Sequence, residues 1–117
     1  MMYFLNEDKT YREADVFEWG QQFEKMDRHV AEDMINGFRV STVWLGLDHN
    51  YFGGPPLVLE TMVFDESGQD VYMNRYTTWA EAEEGHKEAV QWVKDDIWRN
   101  PEKYAGALLL EDKSCRE

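Results

Sequence analysis

Apolar residues recur at two spacings along the chain, and these spacings predict both helices and strands. After Asp15, apolar side chains lie three or four residues apart, at Val16, Trp19, Phe23 and Met26. This is the spacing of one face of a helix. Glu18, three residues after Asp15, matches the pattern of a capping box. We therefore predict an amphipathic helix over residues 15–26.

A second helical pattern begins at Thr78, where Glu81 repeats the capping-box spacing. One stripe of this segment is mostly apolar and comprises Trp79, Ala82, His86, Ala89 or Val90, Val93 and Ile97. Asn100-Pro101 ends the pattern, because the residue before a proline is disfavoured in a helix. We predict a long helix from Thr78 to about residue 100.

Strand-like segments occupy the start and the middle of the chain. Residues 28–35 and 38–45 flank Asn36-Gly37, which favours a type I′ hairpin because both residues tolerate positive φ. The pattern of residues 57–64 is typical of a central strand. Residues 71–76 predict a further strand, and Met1–Leu5 predict an edge strand. We predict one α+β domain over residues 1–117, an antiparallel meander of about four or five strands with two helices packed on one face.

Composition and charge narrow the class of protein. Hydrophobic residues make up 43% of the 117 residues, enough for one core. The single cysteine, Cys115, excludes an internal disulfide, and no segment matches a signal peptide or membrane span, so we expect a cytoplasmic protein.

The C-terminal residues are a separate segment. We expect residues 111–117 to be disordered, and we expect the apolar Ala107–Leu110 either to pack on the domain or to extend the sheet.

The formal net charge is −12, and acidic residues outnumber basic ones in every third of the chain. Binding to nucleic acid requires clustered lysine and arginine, so we expect no direct nucleic-acid partner. Two interpretations of the acidity stay open. It gives either a solvated surface or a surface that engages a basic partner protein.

The segment between the strands that end near Leu45 and begin at Leu57 is the first candidate for a site. Gly53-Gly54-Pro55-Pro56 predicts a rigid connector, because glycine permits unusual φ values and proline fixes φ. In one interpretation the segment only joins two strands, with Tyr51 and Phe52 covering a sheet edge. In the other it presents Asp48 and His49 beside a pocket.

Charged residues inside apolar segments are further candidates. Glu60 interrupts an apolar strand, so it requires either solvent or a partner such as Arg39, Arg75 or His86. The two arginines either pair with acids on neighbouring strands or line an anion-binding pocket together with Trp44 and Tyr76. A histidine on the apolar stripe of a helix is typical of a core residue bonded to a backbone carbonyl. The alternative for His86 is a metal site shared with His49 and with Glu60 or Asp48.

No nucleophile elbow, phosphate loop or metal-ligand spacing is present in the sequence. We therefore assign no catalytic residue, no metal and no cofactor. The tentative ligand-binding residues are Asp48, His49, Tyr51, Glu60, Arg75 and His86.

Two segments carry a resemblance to a known group of proteins. They are VSTVWLGLDHNYFGGPPLVLETMVF, residues 40–64, and NRYTTWAEAEEGHKEAV, residues 74–90. The pattern STVWLGLDH, a glycine-rich stretch into PP, ETMVF, and then RYxT with a later GH resembles small proteins encoded by tailed bacteriophages and prophages. The glycine run is shortened here to Gly53-Gly54. The resemblance implies a bacterial host cytoplasm and no particular activity.

Three functions are compatible with these observations. The first is a small acidic, non-enzymatic accessory protein of phage type that binds a host or defence protein in the manner of an inhibitor. The alternative is a protein that binds a small molecule or nucleotide signal in a pocket near Asp48 and His49. The third is a metal-dependent enzyme. A homodimer is compatible with each, through an exposed edge strand or aromatic patch.

Overall fold

A computed structural model describes residues 1–50 and 52–99. The elements in chain order are β1 (Met2–Leu5), β2 (Tyr11–Ala14), α1 (Val16–Lys25), β3 (His29–Ile35), β4 (Phe38–Trp44), β5 (Leu59–Phe64), β6 (Asp70–Tyr76) and α2 (Trp79–Arg99). Several predictions lie outside the described residues: those for Tyr51, the Asn100-Pro101 helix end, Ala107–Leu110, Cys115 and the tail.

The main sheet is antiparallel with strand order β3-β4-β5-β6, and the α+β prediction is confirmed. The predicted hairpin joins β3 to β4, where Ile35 pairs with Phe38 across Asn36 and Gly37. These two turn residues have φ values of 50° and 86°. The turn therefore forms because both of its residues tolerate left-handed backbone.

A second, smaller sheet precedes the main one. β1 pairs with β2, a strand that the sequence pattern did not predict, and α1 packs against this hairpin. The Asp15–Glu18 capping box is present at the start of α1. The Gln22 side chain joins α1 to β1: its Nε2 donates to the Leu5 carbonyl at 2.7 Å, and its Oε1 accepts from the Leu5 N–H at 2.8 Å.

One face of the main sheet is covered by α2 along one part and by the β1–β2 hairpin along another. Two groups of buried side chains fill this space. The first is Phe38, Val40, Val63, Ala89 and Val93, and the second is Leu5, Trp44, Val58, Leu59, Tyr76 and Ala82. Burial of this apolar area is the main term that stabilises the fold.

The other face of the main sheet carries the alternate residues of each strand, because side chains alternate between faces. We call this the open face. By strand register it comprises His29, Glu32, Met34, Arg39, Ser41, Val43, Glu60, Met62, Phe64, Asp70, Met73 and Arg75. Among the described helices, none has the length and apolar character needed to span a membrane.

Candidate functional site

The loop over residues 48–57 is held together by its own polar groups. The Asp48 Oδ1 accepts the backbone N–H of Asn50 at 2.8 Å and that of Leu57 at 3.0 Å. The Asn50 Nδ2 donates to the Pro55 carbonyl at 2.9 Å and so crosses the loop. The Asp48 carboxylate therefore contributes to the shape of the loop, as the connector interpretation requires.

Phe52 lies within this loop and is 100% exposed. Its N–H donates to the Asn50 Oδ1 at 3.3 Å, and it is followed by Gly53 and Gly54, which both have positive φ. The interpretation in which Phe52 covers a sheet edge is therefore wrong. The sequence indicated no special role for this residue, because a phenylalanine between strands is more often buried.

The hydrogen bonds in this loop also make a prediction for acid stability. The N–H groups of Asn50 and Leu57 hold the pKa of Asp48 below its ordinary value of 3.8. A carboxyl group with a lowered folded-state pKa stabilises the fold above its unfolded pKa, and this contribution is lost as the pH falls through the folded pKa. We expect Asp48→Ala to be less stable than the parent near neutral pH, with the difference shrinking below pH 3.8.

Urea unfolding across this acid range measures the effect. Glu24→Ala is the control. It removes an exposed carboxyl group of α1 that makes no hydrogen bond within the described residues. Parallel stability curves for the parent and Asp48→Ala down to the lowest pH would contradict the assignment.

Beneath α2, five side chains form a continuous chain of hydrogen bonds, which we call the polar relay. The Tyr76 hydroxyl donates to the Thr61 Oγ1 at 3.0 Å, and the Oγ1 atoms of Thr61 and Thr42 are 2.5 Å apart. The Thr42 Oγ1 lies 2.7 Å from the His86 Nδ1, and the His86 Nε2 lies 2.7 Å from the Asp33 Oδ2. The relay thus links β6, β5, β4, α2 and β3.

One orientation of the protons satisfies every donor in the relay. Each hydroxyl donates to the next group from Tyr76 to the His86 Nδ1, and the His86 Nε2–H donates to the Asp33 carboxylate. His86 is 4% exposed, which confirms its prediction as a core residue, but its partners are side chains and not a backbone carbonyl.

A hydroxyl group, an imidazole and a carboxylate that are hydrogen-bonded in this order are also the components of a nucleophilic triad. Thr42 is fully buried, however, so no substrate reaches its hydroxyl in this conformation. We conclude that the relay anchors α2 on the sheet, because its satisfied hydrogen bonds span elements that are distant in sequence.

The two arginines of the open face are paired as the salt-bridge interpretation predicts. The Arg75 Nε lies 3.0 Å from the Glu60 Oε2, and the Arg39 Nη1 lies 3.1 Å from the Glu32 Oε1. In each pair the acid is on the neighbouring strand. Glu60 therefore has its partner in Arg75.

The tentative ligand-binding residues that the structure describes do not line one pocket. Glu60 and Arg75 lie on the open face, whereas His86 contacts the opposite face of the sheet through Thr42. Asp48 and His49 lie in the loop beyond the end of β4. Within residues 1–50 and 52–99, no three histidine, cysteine, aspartate or glutamate side chains are grouped to hold a metal ion.

Comparison of the chain with protein-family models, with curated proteins and with solved structures gives no match. The functional argument consequently depends on the chemistry and geometry of the described residues.

Proposed function

We propose that this chain is a small acidic accessory protein of phage type that acts by binding a host protein, and that Phe52 is its anchor. The observation that supports this proposal is a fully exposed phenylalanine on a loop whose backbone is tied by Asp48 and Asn50. Buried aromatic anchors dominate many protein interfaces. A loop already held in one shape loses less conformational entropy on binding.

Acidic residues lie at the same end of the sheet as this loop. The loop precedes Leu59, which pairs with Tyr76, and Tyr76 leads directly into α2. The first two turns of α2 carry three exposed acidic side chains, Glu81, Glu83 and Glu84. A complementary partner has an apolar pocket for Phe52 with basic residues around it, because opposite charges favour both encounter and register. Occupying a functional site of a host or defence protein in this way would inhibit it.

Photo-crosslinking tests which surface the partner contacts. A photoreactive phenylalanine analogue at position 52 is expected to give a discrete crosslinked host protein in bacterial cells. The same analogue at position 17 is the matched control, because Phe17 is also well exposed, on α1. Equal crosslinking from the two positions, or none from position 52, would contradict the proposal.

The affinity of the purified pair gives a second measurement. Phe52→Ser is expected to raise Kd by about tenfold or more, which corresponds to the loss of an anchor worth at least 1.4 kcal/mol, about the threshold for an interface contributor. Phe17→Ser is expected to leave Kd unchanged. Binding is expected to weaken as salt is added, because screening reduces the attraction between acidic and basic surfaces.

A further inference from the structure

We propose that the open face binds a second copy of this chain and forms a weak homodimer. This inference is independent of the proposed function, which concerns the loop at one end of the sheet. In the described part of the chain, the elements that pack on the main sheet lie against its other face. The open face therefore presents one side of a four-stranded sheet without a covering layer among the described residues.

Apolar side chains are prominent on this face. Met34 is 66% exposed and Met73 is 49% exposed, and Met62 pairs directly with Met73 across β5 and β6. Methionine side chains are flexible and polarisable, so they adapt to an apposed surface. Sheets that present apolar faces commonly pack face to face at a separation of about 10 Å.

The charges of the face favour a second copy over a basic protein. Glu32 and Glu60 are already paired with Arg39 and Arg75, so these four charges cancel in pairs. The whole chain has a formal net charge of −12. A basic partner protein would therefore gain more electrostatic attraction from the acidic surfaces outside the open face. Asp70, the register partner of Phe64, adds one negative charge at the edge of the face. Two copies of such an acidic chain approach each other with least repulsion through a face on which most charges cancel.

The size of the face limits the interface that two copies can form. Four strands of six or seven residues give a face of roughly 20 Å by 20 Å at standard strand spacing and rise. Two such faces bury about 800 Å² in total, which is the size of a weak, transient interface. We therefore expect a dimer that forms and dissociates with concentration.

Sedimentation velocity of the full chain across a range of protein and salt concentrations tests the proposal. The dimer fraction is expected to rise with protein concentration and also with salt, because salt screens the repulsion between two acidic chains. This salt response is opposite in sign to that expected for the basic host partner. The two proposals can therefore fail separately.

Charge placed on the open face is expected to dissociate the dimer. Met34→Glu with Met73→Glu should raise Kd by about tenfold or more, since each dimer would then bury four carboxylates. Phe17→Glu, which adds a charge at an exposed apolar residue of α1, is the control and should leave Kd unchanged. A mixture of the M34E/M73E variant with the M34K/M73K variant is expected to associate again, because the faces then carry opposite charges.

Three results would overturn the inference: a monomer at every concentration, a dimer that Phe17→Glu disrupts equally, or a dimer that Phe52→Ser disrupts and M34E/M73E does not. Circular dichroism and thermal unfolding of each variant establish that it is folded. Because Met34 and Met73 are exposed, their substitution should not disturb the core.

Discussion

Gly85→Ala is expected to lower the free energy of unfolding by about 3 kcal/mol, at the upper end of overpacking costs. A Cβ atom at Gly85 would overlap the Cε1, Cζ and hydroxyl atoms of Tyr76. Tyr76 is 7% exposed and its hydroxyl donates to Thr61, so the ring cannot move without disturbing the core and the polar relay. The gain in helix propensity from alanine, about 1 kcal/mol, is too small to offset this.

The matched control is the same substitution in the other helix. At Gly20 of α1 an added Cβ meets no atom within 4 Å. Gly20→Ala is therefore expected to raise the free energy of unfolding by about 0.5–1 kcal/mol, because alanine loses less backbone entropy on folding. Chemical denaturation of both variants measures the two effects. A destabilisation by Gly85→Ala no larger than a few tenths of a kcal/mol would show that the Tyr76 ring is not held where the structure places it.

The polar relay is expected to behave as one unit when its two threonines are replaced. Thr42→Val and Thr61→Val preserve side-chain shape and suit a strand, so their cost comes from the partners left without a hydrogen bond. Thr42→Val leaves the His86 Nδ1 and the Thr61 hydroxyl without their partner. Each single variant is expected to lose about 2 kcal/mol of stability.

A double-mutant cycle separates a connected relay from two independent hydrogen bonds. In the Thr61→Val background, Thr42→Val no longer leaves a threonine hydroxyl unsatisfied. The double variant should therefore lose less than the sum of the single losses, by about 1 kcal/mol or more. Urea unfolding of the four proteins gives the coupling energy. Additive losses would mean that the two hydroxyl groups act separately.

These stability variants leave the proposed binding surfaces unchanged, which helps to separate folding from function. Tyr76, Thr42 and Thr61 are buried beneath α2, whereas Phe52, Met34 and Met73 are exposed. A binding defect in a stable Phe52→Ser variant would thus concern recognition. A binding defect in a Gly85→Ala variant would first have to be corrected for the fraction of unfolded chain.

Features that depend on residues close together in the chain were predictable from the amino-acid sequence. The Asn36-Gly37 turn follows from the backbone preferences of two adjacent residues. The capping box at α1 joins residues 15 and 18, and the one at α2 joins residues 78 and 81. The strand-like segments beside this turn and at residues 57–64 and 71–76 likewise indicated the strands of the main sheet, and with them the α+β class.

Features that depend on strand register and helix placement were decided by the tertiary structure. Thr42 meets Thr61 because β4 and β5 pair in one register, and His86 meets Asp33 across 53 residues of chain. The same register puts Glu60 and Arg75 on the face opposite to His86, which divides the residues that the sequence grouped as one site. Phe52 is exposed because the hydrogen bonds of Asp48 and Asn50 fix the loop around it. Periodicity along a chain identifies which residues share a face of one element, but the pairing of elements determines which faces meet.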